Sequence, residues 1–203
     1  MTRVLVLHAR LRGTADPGAL EELLERLPYA RRLELGRRDP PSRYASLAGL
    51  ALVMRGVEIL RGGPCDAGEL RFPPGGKPQL PQGPSFSISH GGTRVGAAVS
   101  EEGEVGFDLE EVDAASQVAC AATVRLERWT ATEAVLKAAG RGLRDARAVE
   151  LGEWLQQGRV GGASFHLRPV TIAPGVVAYL ATVSPVTSVP VEEVEASALA
   201  VGR

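Results

Sequence analysis

The first part of the chain combines one strand pattern with several helical patterns. Residues 3–10 alternate as a β-strand does, with successive side chains on opposite faces. Asp16 and Pro17 fit an N-cap followed by a proline at the first helical position. Apolar residues then recur at helical spacing. These patterns predict one strand followed by three helices, over residues 18–27, 28–38 and 42–60.

The middle and the end of the chain hold short strand patterns around one long helical pattern. Residues 62–84 are rich in glycine and proline, which prevents regular structure and predicts a loop. Residues 116–139 follow a helical pattern with a restart at Trp129 and Thr130. Apolar runs bounded by turn residues predict five strands, over residues 85–89, 94–100, 104–109, 163–170 and 176–184.

Helices followed by strands occur in both halves of the chain, which indicates the α+β class. We therefore expect two α+β halves, residues 1–102 and 103–203, each a small antiparallel sheet packed with helices. No sequence repeat is visible between the halves, so the pattern by itself leaves an internal duplication open. With 203 residues, the chain is long enough to bury a sizeable core.

Composition excludes several classes of protein. Hydrophobic residues make up 44% of the chain and charged residues 23%, which is typical of a globular protein. No apolar run approaches the roughly 20 residues that cross a bilayer, and the first residues are too quickly charged for a secretory signal. Cys65 and Cys120 lack the spacing of a zinc site or a disulfide framework. We expect a cytoplasmic protein that does not contact membranes.

The net charge of −1 conceals two halves of opposite charge. Residues 1–100 hold fourteen basic residues against nine acidic ones, whereas residues 101–203 hold nine against fifteen. This distribution favours a polyanionic small molecule, bound by arginines and by a divalent cation, over broad coating of nucleic acid. Arbitrary solvated charge is the alternative interpretation. We expect no nucleic-acid partner.

Lysine is rare in this chain. Of the 23 basic residues only Lys77 and Lys137 are lysines, and the others are arginines. Arginine therefore supplies generic positive charge, and the two lysines mark positions where a compact ammonium is suited to a phosphate oxygen. Chance retention of two surface lysines is the alternative.

An acidic segment at the end of one predicted strand forms the first candidate site. Asp108 and Glu110 lie two positions apart, so their side chains share one face, while Phe107 and Leu109 point the other way into the core. Two converging carboxylates suit Mg²⁺, which takes oxygen ligands and completes its shell with water and phosphates. The alternative is an exposed acidic loop, because this spacing alone is a weak signal.

A helical segment and a glycine-rich loop supply two further motifs. Glu133 and Lys137 are four positions apart, so they project from one helical face; a capping box from Thr130 to Glu133 and an ordinary surface ion pair are the alternatives. In the loop, Lys77 follows two glycines, and the next predicted strand ends at Ser89, with His90 directly after it. The loop lacks the spacing of a phosphate-binding P-loop, and no helix follows it.

Four motifs in this order, GKPxL, FSISH, GxDxEE and WTxxEAxxKAxGxGL over residues 75–143, resemble the Sfp-type 4′-phosphopantetheinyl transferases. The resemblance implies a monomeric pseudo-dimer of two similar α+β halves with coenzyme A in the cleft between them. It also implies a reaction in which the phosphopantetheine arm of coenzyme A moves to a serine of an apo acyl or peptidyl carrier protein, releasing adenosine 3′,5′-bisphosphate.

The resemblance implies a role for each matching residue. Asp108, Glu110 and Glu133 would bind Mg²⁺, and Glu133 would also accept the proton of the incoming serine. Lys137 would hold a diphosphate oxygen. Lys77 and His90 would contact the nucleotide and its phosphates, and Ser89 would be an auxiliary hydrogen-bond donor.

Two positions depart from the family pattern. The arginine expected near the start of the long helix falls on Ala45 or Ser46, so Arg43 is the nearest candidate for the 3′-phosphate, with Arg31 and Arg32 as helpers. The residue before the signature glutamate is commonly lysine and is Thr132 here. A Mg²⁺-dependent phosphoesterase or nuclease, and a non-catalytic module that binds carrier proteins, are the alternative functions.

Overall fold

The computed structural model describes residues 3–11, 17–112 and 120–199. Its helices are α1 (Pro17–Arg26), α2 (Tyr29–Gly36), α3 (Pro40–Arg61) and α4 (Cys120–Ala138). Its strands are β1 (Val4–Arg10), β2 (Ser85–Gly91), β3 (Arg94–Ser100), β4 (Val105–Glu111), β5 (Glu150–Leu151), β6 (Gln157–Val160), β7 (Ala163–Pro169), β8 (Val176–Thr182) and β9 (Val191–Glu193). The predicted N-cap Asp16 and the predicted helical residues 116–119 lie outside the described residues. The α+β class is confirmed.

The first sheet has four strands in the order β2-β3-β1-β9. β3 pairs antiparallel with both β1 and β2, and β9 pairs parallel with β1. Successive side chains of β1 point alternately into two apolar layers, because side chains along a strand alternate between its two faces. Leu5 and Leu7 face the helical layer that includes α3, whereas Val4 and Val6 face the second sheet.

The second sheet has five strands in the order β4-β8-β7-β6-β5, and every neighbouring pair in it is antiparallel. Phe107 and Leu109 of β4 are buried against the first sheet, as the alternation predicts. On the other face, Tyr179 and Ala181 of β8 pack with the apolar side of α4. The strand that carries the acidic motif therefore lies between the first sheet and α4.

Helix α3 begins two residues earlier than the pattern predicts. Asp39 is its N-cap, with a side-chain oxygen 3.0 Å from the backbone N–H of Ser42, and Pro40 and Pro41 occupy the first helical turn. Proline is tolerated there because the first backbone N–H groups of a helix have no partner inside it. The two prolines thus start the helix, which ends at Arg61, and the C-cap Gly62 has a left-handed backbone conformation.

The predicted restart at Trp129 and Thr130 is wrong, because α4 runs without interruption from Cys120 to Ala138. Thr130 lies inside the helix, where its hydroxyl donates a 2.8 Å hydrogen bond to the carbonyl of Leu126. Inside a helix the backbone N–H groups near Thr130 already bond to carbonyls of the preceding turn, and the hydroxyl of Thr130 bonds to such a carbonyl as well. No capping box therefore forms from Thr130 to Glu133.

Two further findings complete the fold. No helix in the described part of the chain is long and apolar enough to span a membrane. Beyond β8 the chain returns to the first sheet, where β9 pairs with Val6 to His8 of β1. The sequence pattern did not predict this last strand, nor the short strands β5 and β6.

Candidate functional site

Three carboxylates from two elements meet between β4 and α4. Asp108 and Glu110 project from the face of β4 opposite Phe107 and Leu109, and Glu133 projects from α4. One oxygen from each of Asp108, Glu110 and Glu133 lies within 4.8 Å of the others. We call these three residues the acidic triad. The predicted convergence of Asp108 and Glu110 is confirmed, and α4 adds Glu133.

A glycine makes this approach possible. Gly106 of β4 lies directly against the backbone of α4, and a Cβ atom at this position would collide with the carbonyl oxygen of Ala134 and the backbone nitrogen of Ala138. A residue with a side chain would therefore push the helix away from the strand. Because Gly106 is two residues before Asp108 and Ala134 is next to Glu133, this contact sets the separation of the triad carboxylates.

Lys137 completes the charged cluster. Its ammonium lies 2.6 Å from Oδ1 of Asp108 and 3.9 Å from Oε2 of Glu133. The hydroxyl of Ser89 donates a second 2.6 Å hydrogen bond to the same Oδ1 atom. Oδ2 of Asp108 is buried and has no hydrogen-bond partner among the described residues. A buried carboxylate oxygen without a partner is costly, and a bound cation would satisfy it.

The electrostatics of the acidic triad agree with such a site. Burial raises the pKa of Glu110, the charge of Asp108 raises it further, and Lys137 opposes both. Burial and the charge of Asp108 likewise raise the pKa of Glu133. Three carboxylates beside one ammonium leave an excess of negative charge, which a divalent cation neutralises. Oxygen-only donors match the preference of Mg²⁺.

A row of serines joins the two sheets beside the acidic triad. Ser85, Ser87 and Ser89 of β2 alternate along one face, and their hydroxyls accept hydrogen bonds from the backbone N–H groups of Val105, Phe107 and Leu109, respectively. The donor–acceptor distances are 3.4, 3.0 and 3.3 Å. Backbone groups of β4 that its pairing with β8 leaves free are thus satisfied by side chains of the first sheet.

A cavity of about 310 Å³ opens next to this cluster. Its lining residues come from both halves of the chain: Arg31, Arg38, Ser46, Gly75, Gly76, Lys77, Pro78, Phe86, Ser87, Ile88, His90, Lys137, Gly140 and Arg141. Among the described residues, those that line the cavity include five lysines and arginines and no acidic side chain. We call this space the cationic cavity. Its charge suits an anionic ligand, and Lys137 connects it to the acidic triad.

The structure brings some of the predicted ligand contacts together and separates others. Lys77, His90 and Lys137 line the cationic cavity. Ser89 is buried and hydrogen-bonded to Asp108, and it does not line the cavity. Arg43 does not line the cavity either; its guanidinium forms a 3.2 Å ion pair with Glu21.

Arg38, Ser46 and Arg141 line the cavity without having been singled out as ligand contacts from the sequence. Arg38 donates a 2.9 Å hydrogen bond from Nη1 to the hydroxyl of Ser46, so its guanidinium reaches one of the two positions, Ala45 or Ser46, at which the resemblance predicts an arginine. The signal available from the sequence was the serine at that position together with the surplus of arginines just before the helix.

The ammonium of Lys77 makes three contacts within the protein, so this residue has a structural role as well as lining the cavity. Its ammonium lies 2.7 Å from Oε2 of Glu104, 2.7 Å from the carbonyl of Val105 and 3.1 Å from the hydroxyl of Ser85. Burial lowers the pKa of Lys77, although the hydrogen bond to Glu104 and its charge oppose this. The loop that borders the cavity is thereby fastened to the start of β4.

Comparison with known proteins adds no further constraint, since no protein-family model and no curated protein sequence matches this chain.

Proposed function

We propose that this protein is a 4′-phosphopantetheinyl transferase that uses coenzyme A and an apo acyl or peptidyl carrier protein. One observation carries the proposal: Lys137 lines the cationic cavity, whose described lining includes no acidic residue, and it also pairs with Asp108 of the acidic triad. A nucleotide with several phosphates fits such a cavity by charge, and its diphosphate would lie beside Asp108, Glu110 and Glu133.

The reaction is a phosphoryl transfer in which positioning and charge neutralisation supply most of the catalysis. The serine oxygen of the carrier attacks the β-phosphorus of coenzyme A, the bond from that phosphorus to the bridging oxygen breaks, and adenosine 3′,5′-bisphosphate leaves. Asp108, Glu110 and Glu133 would hold Mg²⁺, which neutralises charge on the diphosphate when it is bound.

The remaining steps fall to residues of the chain. Glu133 accepts the proton of the serine, directly or through a water molecule. Lys137 holds a diphosphate oxygen as charge develops on it. Lys77 and His90, which line the cavity, contact the nucleotide; Arg31 and Arg38, which also line it, take the 3′-phosphate in place of Arg43.

The finer fold assignment belongs to the same proposal: the two halves form a pseudo-dimer within a monomeric chain. The first sheet contains the order β2-β3-β1 and the second contains the order β7-β8-β4. In each, two consecutive strands pair, and the later of them also pairs with the first strand of its half. The register supports the correspondence, since Val4 pairs with Ser100 and Val105 pairs with Thr182. The hydroxyls of Ser100 and Thr182 each donate a 2.8 Å hydrogen bond to the carbonyl two residues later.

The test is to incubate the purified protein with coenzyme A, Mg²⁺ and apo carrier proteins from several pathways and to measure their intact masses. We expect one phosphopantetheine to be added to a carrier, and we expect no addition with EDTA, with Glu133→Gln or with a carrier whose acceptor serine is alanine. Hydrolysis of a phosphodiester without transfer would favour the nuclease or phosphoesterase alternative. Carrier binding without either reaction would favour the non-catalytic module.

A further inference from the structure

A single carboxylate joins two arginines that line the cationic cavity. Oε2 of Glu34 lies 2.5 Å from Nη1 of Arg31, and Oε1 lies 2.7 Å from Nη2 of Arg38. Each carboxylate oxygen therefore accepts from one guanidinium. Glu34 is not among the lining residues, so it contacts the two cations without occupying the space beside them.

Both guanidinium groups are also held by a second contact. Arg31 stacks over the ring of Phe72 at 4.9 Å from its centroid, and its side chain is only 14% exposed. Arg38 donates from Nη1 to the hydroxyl of Ser46, and that hydroxyl donates in turn to the carbonyl of Ser42. The two cations therefore have defined positions before any ligand arrives, which lowers the ordering cost of binding.

The charge of Glu34 makes this arrangement possible. Two guanidinium groups beside one cavity repel each other, and a carboxylate between them offsets that repulsion. Burial raises the pKa of Glu34, but the hydrogen bonds and charges of Arg31 and Arg38 outweigh it and lower the pKa overall. Glu34 thus stays ionised at neutral and mildly acidic pH.

We propose that Glu34 is a positioning residue that holds Arg31 and Arg38 together as one subsite for a phosphate monoester. Each guanidinium has five N–H donors and uses few of them on Glu34 and Ser46, so donors remain for a ligand. The planar guanidinium of each arginine presents several N–H donors together, and these match the several oxygens of a dianionic phosphate. The identity of that group as the 3′-phosphate of coenzyme A rests on the proposed function.

The experiment measures the preference for a second phosphate by calorimetry with two ligands, adenosine 3′,5′-bisphosphate and adenosine 5′-monophosphate. EDTA is present, and neither carrier protein nor transfer is involved. We expect the wild-type protein to prefer the bisphosphate, and we expect Glu34→Gln to reduce the ratio of the two dissociation constants about 3–10-fold, as the loss of a preorganised charged contact does. Arg38→Ala should remove most of the preference.

Glu25→Gln is the matched control, because Glu25 pairs with Arg32 at 2.8 Å and neither residue lines the cavity. Both glutamine variants remove one negative charge from the same region. Charge removal by itself would tighten binding of the bisphosphate, whereas loss of positioning weakens it. An unchanged or larger preference in Glu34→Gln, relative to Glu25→Gln, would overturn the proposal.

The outcomes separate this inference from the proposed function. A reduced preference in Glu34→Gln supports the positioning role even if no carrier protein is modified in the transfer assay. A wild-type protein that transfers phosphopantetheine but shows no preference for the bisphosphate would leave the function standing and overturn the subsite. Thermal melting of each variant shows whether the fold is retained.

Discussion

The hydroxyl of Ser87 accepts a 3.0 Å hydrogen bond from the backbone N–H of Phe107, across the boundary between the two sheets. Both residues are buried, so the backbone N–H of Phe107 loses its side-chain partner if this hydroxyl is removed. The contact is the shortest of the three that link the serine row of β2 to β4. Side chains of the first half therefore accept hydrogen bonds from the backbone of β4, the strand that carries Asp108 and Glu110.

Ser87→Ala should accordingly destabilise the protein by about 1–3 kcal/mol, the cost of a buried polar group left without a partner. For a chain of this size that corresponds to a fall in melting temperature of about 2–4 °C per kcal/mol. Ser188→Ala is the control, because Ser188 is exposed, and it should melt like the wild-type protein. Equal melting temperatures for the two variants would contradict a structural role for the serine row.

Gly106→Ala should impair both stability and activity. The added methyl group meets the backbone of α4 at Ala134 and Ala138, so the helix must shift, and overpacking of this kind costs about 1–3 kcal/mol. The shift moves Glu133 and Lys137 away from Asp108, which should lower kcat more than it raises KM for coenzyme A. Gly63→Ala is the control, since no atom lies within 4 Å of its added Cβ. If Gly106→Ala keeps wild-type kcat, the close approach is not what sets the triad geometry.

The raised pKa values of Glu110 and Glu133 predict how stability depends on pH and on metal. In EDTA the folded protein binds protons at these carboxyls more tightly than the unfolded chain does, so their ionisation opposes folding at neutral pH. That penalty is relieved as the pH falls through the raised pKa values toward the ordinary glutamate value of about 4.3.

Glu133→Gln should therefore melt a few degrees above the wild-type protein in EDTA at pH 7, and the difference should shrink toward pH 4.5. Added Mg²⁺ should raise the melting temperature of the wild-type protein and not that of the variant. Differential scanning fluorimetry across this pH range, with and without Mg²⁺, measures both effects. A variant that melts below the wild-type protein in EDTA would argue against repulsion within the acidic triad.

Substitutions of Lys137 and Lys77 should change different kinetic parameters. Lys137→Ala should mainly lower kcat, because its contact strengthens as charge develops in the transition state, and Lys137→Arg should not restore it fully. Lys77→Ala should raise KM for coenzyme A and also lower the melting temperature, because Lys77 fastens the cavity loop to Glu104 and Val105. Steady-state kinetics with melting curves for each variant separate these effects, and the reverse pattern would mean that the roles are exchanged.

Local geometry could be predicted from the sequence. The pattern over residues 94–100 gave the bounds of β3, and period two placed Asp108 and Glu110 on one face of β4. The spacing of Glu133 and Lys137 likewise placed them one turn apart on α4. These features depend on backbone periodicity alone, which neighbouring residues in the sequence determine.

Features that depend on packing between distant segments could not be predicted. Arg38 and Arg141, which are far apart in the sequence, line the same cavity only because the two halves of the chain pack together. The capping signal at Thr130 was misleading for a different, local reason, since the helical turn before it supplies the Leu126 carbonyl as an acceptor. The strand β9 has a pairing partner nearly two hundred residues away in the sequence.

The position of β9 has a consequence for synthesis on the ribosome. Val6 and His8 lie near the start of the chain, and they gain their parallel neighbour only after residues 191–193 have emerged from the exit tunnel. Until then the outer edge of β1 is an unpaired row of backbone groups, which is the kind of surface that templates aggregation. The nascent protein therefore keeps this edge exposed until β9 has emerged, and we expect its dependence on chaperones to fall once β9 pairs with β1.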